Sequence, residues 1–172
     1  AYYTFDEDQG DYLRRHTSRN NHQHASFLKA YADNQDDYRE VIEWFKTLPL
    51  WLDLKDIRVV HACWDTRAME RLGSSLDDGN RLTDREIKTS TTYGSQEFRD
   101  VETILKGKEV PLAEGYSFID NDGHDWPNIR IKWWDQKAVT YQAAFMGNPN
   151  AISHIPDDKI EGDHLIEYSH HM

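Results

Sequence analysis

His61 closes a short, nearly all-apolar run, Ile57 to Val60 with Arg58 the one charge, and a strand of that kind carries its last side chain to the rim of a sheet. An imidazole at such a rim can bind a metal through a neutral ring nitrogen or move a proton near neutral pH. It can equally do no more than satisfy a backbone group. Spacing alone leaves these readings open. The other groups of chemical interest have simpler expectations. Asn21-His22-Gln23-His24 sets two imidazoles two residues apart, which on a helix face different directions, so a solvated helix face is expected. Asp122-Gly123-His124 has the letters of an Asp-x-His metal motif but stands in a turn, and His170-His171 reads as a surface pair. Arg14 and Arg15, at a helix start, are of a type that binds phosphate, although two such arginines are expected to stay solvated. Cys63 is the only cysteine, so an internal disulfide and a zinc knuckle are excluded. Neither a phosphate-binding Walker loop nor a dinucleotide glycine motif is present.

The elements that would position these groups follow from periodicity and punctuation. Arg14 to Ala32 is expected to be helical, with a weak stripe at Ala25, Leu28, Tyr31 and Ala32. Tyr38, Val41, Ile42 and Phe45 share one face of a helix over Asp37 to Thr47, which Asp37 and Glu40 start and Pro49 ends. Leu50 to Leu54 alternates as a strand does, and Lys55-Asp56 turns into Ile57 to His61. Asp65 can cap a helix carrying Ala68, Met69 and Leu72 that closes at Gly73. Thr83 with Glu86 offers a second capping box, and Ser95 a cap for a helix with Phe98, Val101 and Leu105 on one face. Tyr116 to Asp120 and Ile129 to Asp135 read as strands joined across Asn121-Asp122-Gly123. Phe5 to Gly10 reads as loop, as does most of the C-terminal third apart from a strand near His164 to Tyr168. Alternating helices and strands make the class α/β, with α+β as the alternative.

Composition bounds the function. At 172 residues a single domain is the simplest expectation. Thirty-one acidic residues against 20 basic ones give a net charge of −11, which repels nucleic acid and disfavours a nucleic-acid-coating role. Phosphorylated substrates remain open, because bound dications reverse the local sign. A lone cysteine fits a reducing cytoplasm, and no apolar run approaches the roughly 18 residues that would suggest a membrane span.

The segment LPLWLDLKDIRVVHACW, from Leu48 to Trp64, resembles the fourth metal-ligand motif of the calcineurin-like metallophosphoesterases. That family includes protein serine/threonine phosphatases and diadenosine tetraphosphatases. Two further blocks, YLRRHTSRNNHQHASFL and KGKEVPLAEGYSFIDNDGHDWPNIRIKWW, are similar to segments of one bacterial branch, so the resemblance spans most of residues 2 to about 134. It implies the C-terminal portion of an αββα sandwich. It also implies a site of two divalent metals (Mn, Fe or Zn) that hydrolyses phosphate esters of small molecules or phosphoproteins. The family builds that site from D-x-H, G-D-x-x-D-R-G, G-N-H-[DE], a strand-end histidine and a final G-H. Only the fourth has a counterpart here, so His61 is the one ligand carried over, and Trp64 and Asp65 are candidates for the mouth of the site. Core packing for Trp64 and helix capping for Asp65 are the competing expectations. The chain is therefore expected to be part of a larger hydrolase and inactive alone. A non-catalytic interaction module, using its acidic surface and Trp126, is the alternative.

Overall fold

The computed structural model of the protein describes residues 1–119 and 123–161. Contacts sort the chain into two compact units, Ala1–Val59 with Arg71–Val101, and Val60–Glu70 with Glu102–Met172. The class is mixed, helices with small two-stranded sheets.

In the first unit, β1 (Phe5–Asp6), where a loop was expected, pairs antiparallel with β2 (Asp11–Tyr12). The polar turn between them carries no periodicity; Gly10, at φ 65°, adopts the left-handed conformation that lets the chain reverse. Helix α1 (Ser18–Ala30) starts at Thr17, whose hydroxyl accepts from the Asn20 amide. Helix α2 (Gln35–Lys46) begins two residues earlier than its apolar face indicates. Asn34, not Asp37, is the cap, and its side chain accepts from the Asp37 amide at 3.1 Å. Strands β3 (Trp51–Asp53) and β4 (Arg58–Val60) form a two-stranded sheet closed around Lys55 and Asp56 by reciprocal Leu54 and Ile57 backbone hydrogen bonds. Helix α4 (Asp84–Thr89) follows Thr83, but the Thr83 hydroxyl makes no capping bond.

Strand β4, whose Val60 belongs to the second unit, and two helices divide between the units. Helix α3 spans Thr66–Gly73 and α5 spans Gln96–Lys106. Ser95 caps α5 through the Phe98 amide at 3.0 Å, and Gly107 ends it at φ 108°.

The second unit has its own core. Strand β5 (Glu109–Pro111) pairs antiparallel with β8 (Asn128–Arg130), setting buried Val110 opposite buried Ile129. Strand β6 (Phe118–Ile119) pairs with β7 (Asp125–Trp126), Phe118 opposite Trp126. The expected hairpin thus takes Trp126 as its return partner, and Ile129 belongs to a different sheet. Helix α6 (Tyr141–Ala144) and a 3-10 helix, Pro149–His154, stand where loop was expected. Ile131, Ala138, Tyr141, Ala144, Phe145, Ile155 and Ile160 join Val110 and Ile129 in one cluster. Each large aliphatic there contributes on the order of 1.5–3 kcal/mol by leaving water. The expected strand near His164 to Tyr168, the His170-His171 pair and residues Asn121 and Asp122 lie outside the described residues. Among the described residues no helix is long and apolar enough to cross a membrane.

Candidate functional site

His61 follows β4 directly, and the strand that carries it is not a central one. The apolar run predicts cover on both faces, yet among the described residues β4 has a single partner strand, and Val59 is 46% exposed. Runs of three β-branched or aliphatic residues do not distinguish a buried strand from an exposed hairpin arm. The imidazole itself is exposed.

The segment after the strand is fixed from several sides. Nδ1 of His61 lies 2.6 Å from the Leu105 carbonyl oxygen. The amides of Ala62 and Cys63 both donate to the Ile104 carbonyl, at 3.1 and 3.2 Å. Ile104 and Leu105 are in the last turn of α5, where carbonyls lack intrahelical donors, so residues 61–63 serve as the cap of that helix. On its other side Ala62 accepts from the Trp133 indole N–H at 2.8 Å. The sequence reading missed Trp133, although a tryptophan that leaves a strand with an indole N–H to satisfy is a usable signal.

A carbonyl only accepts, so the His61 proton sits on Nδ1, and neutral His61 keeps its lone pair on Nε2. Among the described residues nothing hydrogen-bonds that Nε2. A metal-binding histidine uses the same division of labour, one nitrogen held by a carbonyl and the other presented outward.

Cys63, wholly buried, is not a ligand. Burial first, and the Asp65 charge second, push its thiol up to about 12. Trp64 is 7% exposed and Asp65 5%, so both point inward rather than line an open mouth. Asp65 caps α3 through the Ala68 amide at 3.1 Å, and its other oxygen pairs with Lys108 at 3.1 Å. Both carboxylate oxygens are committed within the fold.

Among the described residues no three His, Cys, Asp or Glu side chains converge to hold a metal ion. One imidazole does not fit a two-metal centre, which needs bridging carboxylate or hydroxide and several nitrogen or oxygen ligands. His22 is exposed on α1, as the sequence pattern indicates, and His24 is half-buried. His124 is exposed beside β7, and Trp126 is half-buried.

Comparison with protein-family models, curated proteins and solved structures found no match to this chain.

Proposed function

We propose that this chain is part of a metal-dependent phosphoester hydrolase of the calcineurin-like kind, in which His61 is one metal ligand. The observation that carries this reading is the His61–Leu105 hydrogen bond, which leaves Nε2 as an outward lone pair on a well-anchored segment. It complements the resemblance of Leu48 to Trp64 to the family's strand-end histidine motif. The reading needs ligands besides His61, and it extends the small sheets described here into the family's αββα sandwich. The substrate class is a phosphorylated small molecule or phosphoprotein.

The test uses the extended protein carrying the other four motifs, with Mn²⁺ and p-nitrophenyl phosphate. There His61→Ala is expected to lower kcat by at least a hundredfold, about 3 kcal/mol of transition-state stabilisation. Near-normal turnover with unchanged metal content would make His61 a helix cap and nothing more.

A second reading, a non-catalytic interaction module, has one observation in its favour. Leu54, Ile57 and Val59 on or beside the β3–β4 hairpin are 51%, 62% and 46% exposed, and Trp44 is 55% exposed. Exposed apolar surface of that kind is characteristic of a protein contact. Metal-independent partner binding by a protein without hydrolytic activity would favour this reading.

A further inference from the structure

The charge of the chain is not evenly spread. Between Asp11 and Asp33 there is no acidic residue, while Arg14, Arg15, Arg19 and Lys29 and the imidazoles of His16, His22 and His24 all fall there. In a protein of net charge −11 this is the one long stretch of the opposite sign.

Within the first unit the stretch folds around a column of rings. Tyr12, His16, Tyr2 and His24 stack in that order, with centroid separations of 4.0, 4.1 and 3.8 Å and interplanar angles of 19°, 20° and 15°. Tyr3 closes the column edge-on against His24, and its hydroxyl lies 2.7 Å from Nδ1 of that ring. Nε2 of His16 donates to the Tyr2 carbonyl at 2.9 Å, and the Tyr2 hydroxyl donates to Asn21 at 2.8 Å. The two imidazoles are therefore held in place by stacking and by hydrogen bonds together.

Arg14 stands beside them, half-buried, and its partners are unusual for this chain. Its Nη2 donates to the side-chain oxygens of Asn20 at 3.1 Å and Gln23 at 3.4 Å, both neutral amides. Among the described residues no carboxylate pairs with Arg14, although 31 are available in the sequence. Nε and Nη1 have no partner among the described residues. Burial, then the Arg14 charge with the amino terminus and His16, holds His24 below the ordinary imidazole range. Tyr2 stacks on it and Tyr3 meets it edge-on, and among the described residues no carboxylate contributes to its titration. Half-buried positive charge with no internal counter-ion is a setting that an external anion relieves.

We propose that Arg14, His16 and His24 form a recognition site for a phosphate dianion. With Nη2 held by Asn20 and Gln23, the guanidinium offers Nε and Nη1 as separate donors to phosphate oxygens. The fixed imidazoles supply a second and third donor when protonated. Equating this ligand with a substrate phosphoryl group rests on the hydrolase reading above; the binding itself does not.

The experiment is a titration of the 172-residue protein with inorganic phosphate at neutral pH, against sodium chloride of matched ionic strength. The imidazole resonances of His16 and His24 are followed by NMR, and p-nitrophenyl phosphate serves in a second arm as an organic monoester. Saturable shifts of both imidazoles are expected, with both titration midpoints moving upward. Arg14→Gln should weaken binding at least tenfold and Arg14→Lys by less, with the fold of each variant checked by near-UV circular dichroism. If chloride gives the same shifts, if no saturation is reached, or if Arg14→Gln binds as well, the site is overturned. Phosphate binding in a protein that hydrolyses nothing would leave the site standing and remove the hydrolase. Hydrolysis without a phosphate response at His16 and His24 would do the reverse.

Discussion

The imidazole of His61 donates from Nδ1 to the carbonyl of Leu105, 2.6 Å away and 44 residues on in sequence. That bond joins a strand end to a helix end and settles which ring nitrogen is free. Removing it returns one helix-terminal carbonyl to water, so His61→Ala should cost only about 1 kcal/mol of stability. Urea unfolding monitored by tryptophan fluorescence measures this. A much larger loss would mean that the exposed ring supports packing, and the kcat test of His61 would then need a variant that keeps the bond.

Asp65 is expected to behave as a structural residue. Asp65→Ala removes the α3 cap, worth about 1 kcal/mol, and strands the ammonium of Lys108, whose side chain is 25% exposed. A total near 2–3 kcal/mol is expected, with Asp65→Asn milder because an amide oxygen still caps. An unfolding midpoint that hardly moves would restore Asp65 as a candidate for the substrate pocket.

The acid limb of stability should involve Asp6. Its hydrogen bond with Lys88, at 2.9 Å, holds the carboxyl below the usual carboxylate range, assisted by the Asp8 amide. A depressed folded pKa contributes stability above the unfolded value, about 3.9, and that stability is lost as pH falls through the folded value. Asp6→Asn should therefore flatten the stability curve below about pH 4 and lower it above. Parallel acid limbs in the two proteins would show that the Asp6–Lys88 pair does not couple to folding.

Metal binding by the 172 residues alone should be weak and without defined stoichiometry, because His61 has no fellow ligands among the described residues. Hydrolysis of p-nitrophenyl phosphate or diadenosine tetraphosphate with Mn²⁺ should likewise stay at background. Calorimetry showing tight Mn²⁺ or Zn²⁺ binding, abolished by His61→Ala, would reveal ligands that neither the sequence nor the geometry identifies.

Legibility in the sequence followed the strength of local signals. Helix α5 was readable because Ser95 and Gly107 bracket a regular apolar face. The turn at Lys55-Asp56 was readable because alternation on one side meets an apolar run on the other. The β5–β8 pair was not, since Glu109-Val110-Pro111 offers one buried side chain and a proline that favours a strand edge. Its partner was instead assigned to the hairpin that Trp126 completes. At the site, the place of His61 after a strand could be read from apolar patterning. The Leu105 carbonyl, the Trp133 indole and the Lys108 ammonium could not, because each lies more than 40 residues away and no local period encodes such a meeting.

Cys63 is the chain's only thiol; it is completely buried, and its ionisation is pushed far above neutral pH. Thiolate, not thiol, attacks a disulfide reagent, so in the native state this sulfur is protected twice, by the absence of access and by the absence of charge. It becomes reactive only when an opening of the native structure exposes it. The rate at which an aromatic disulfide labels the protein is thus a clock for openings that reach this sulfur, supplied by the native sequence without an added probe.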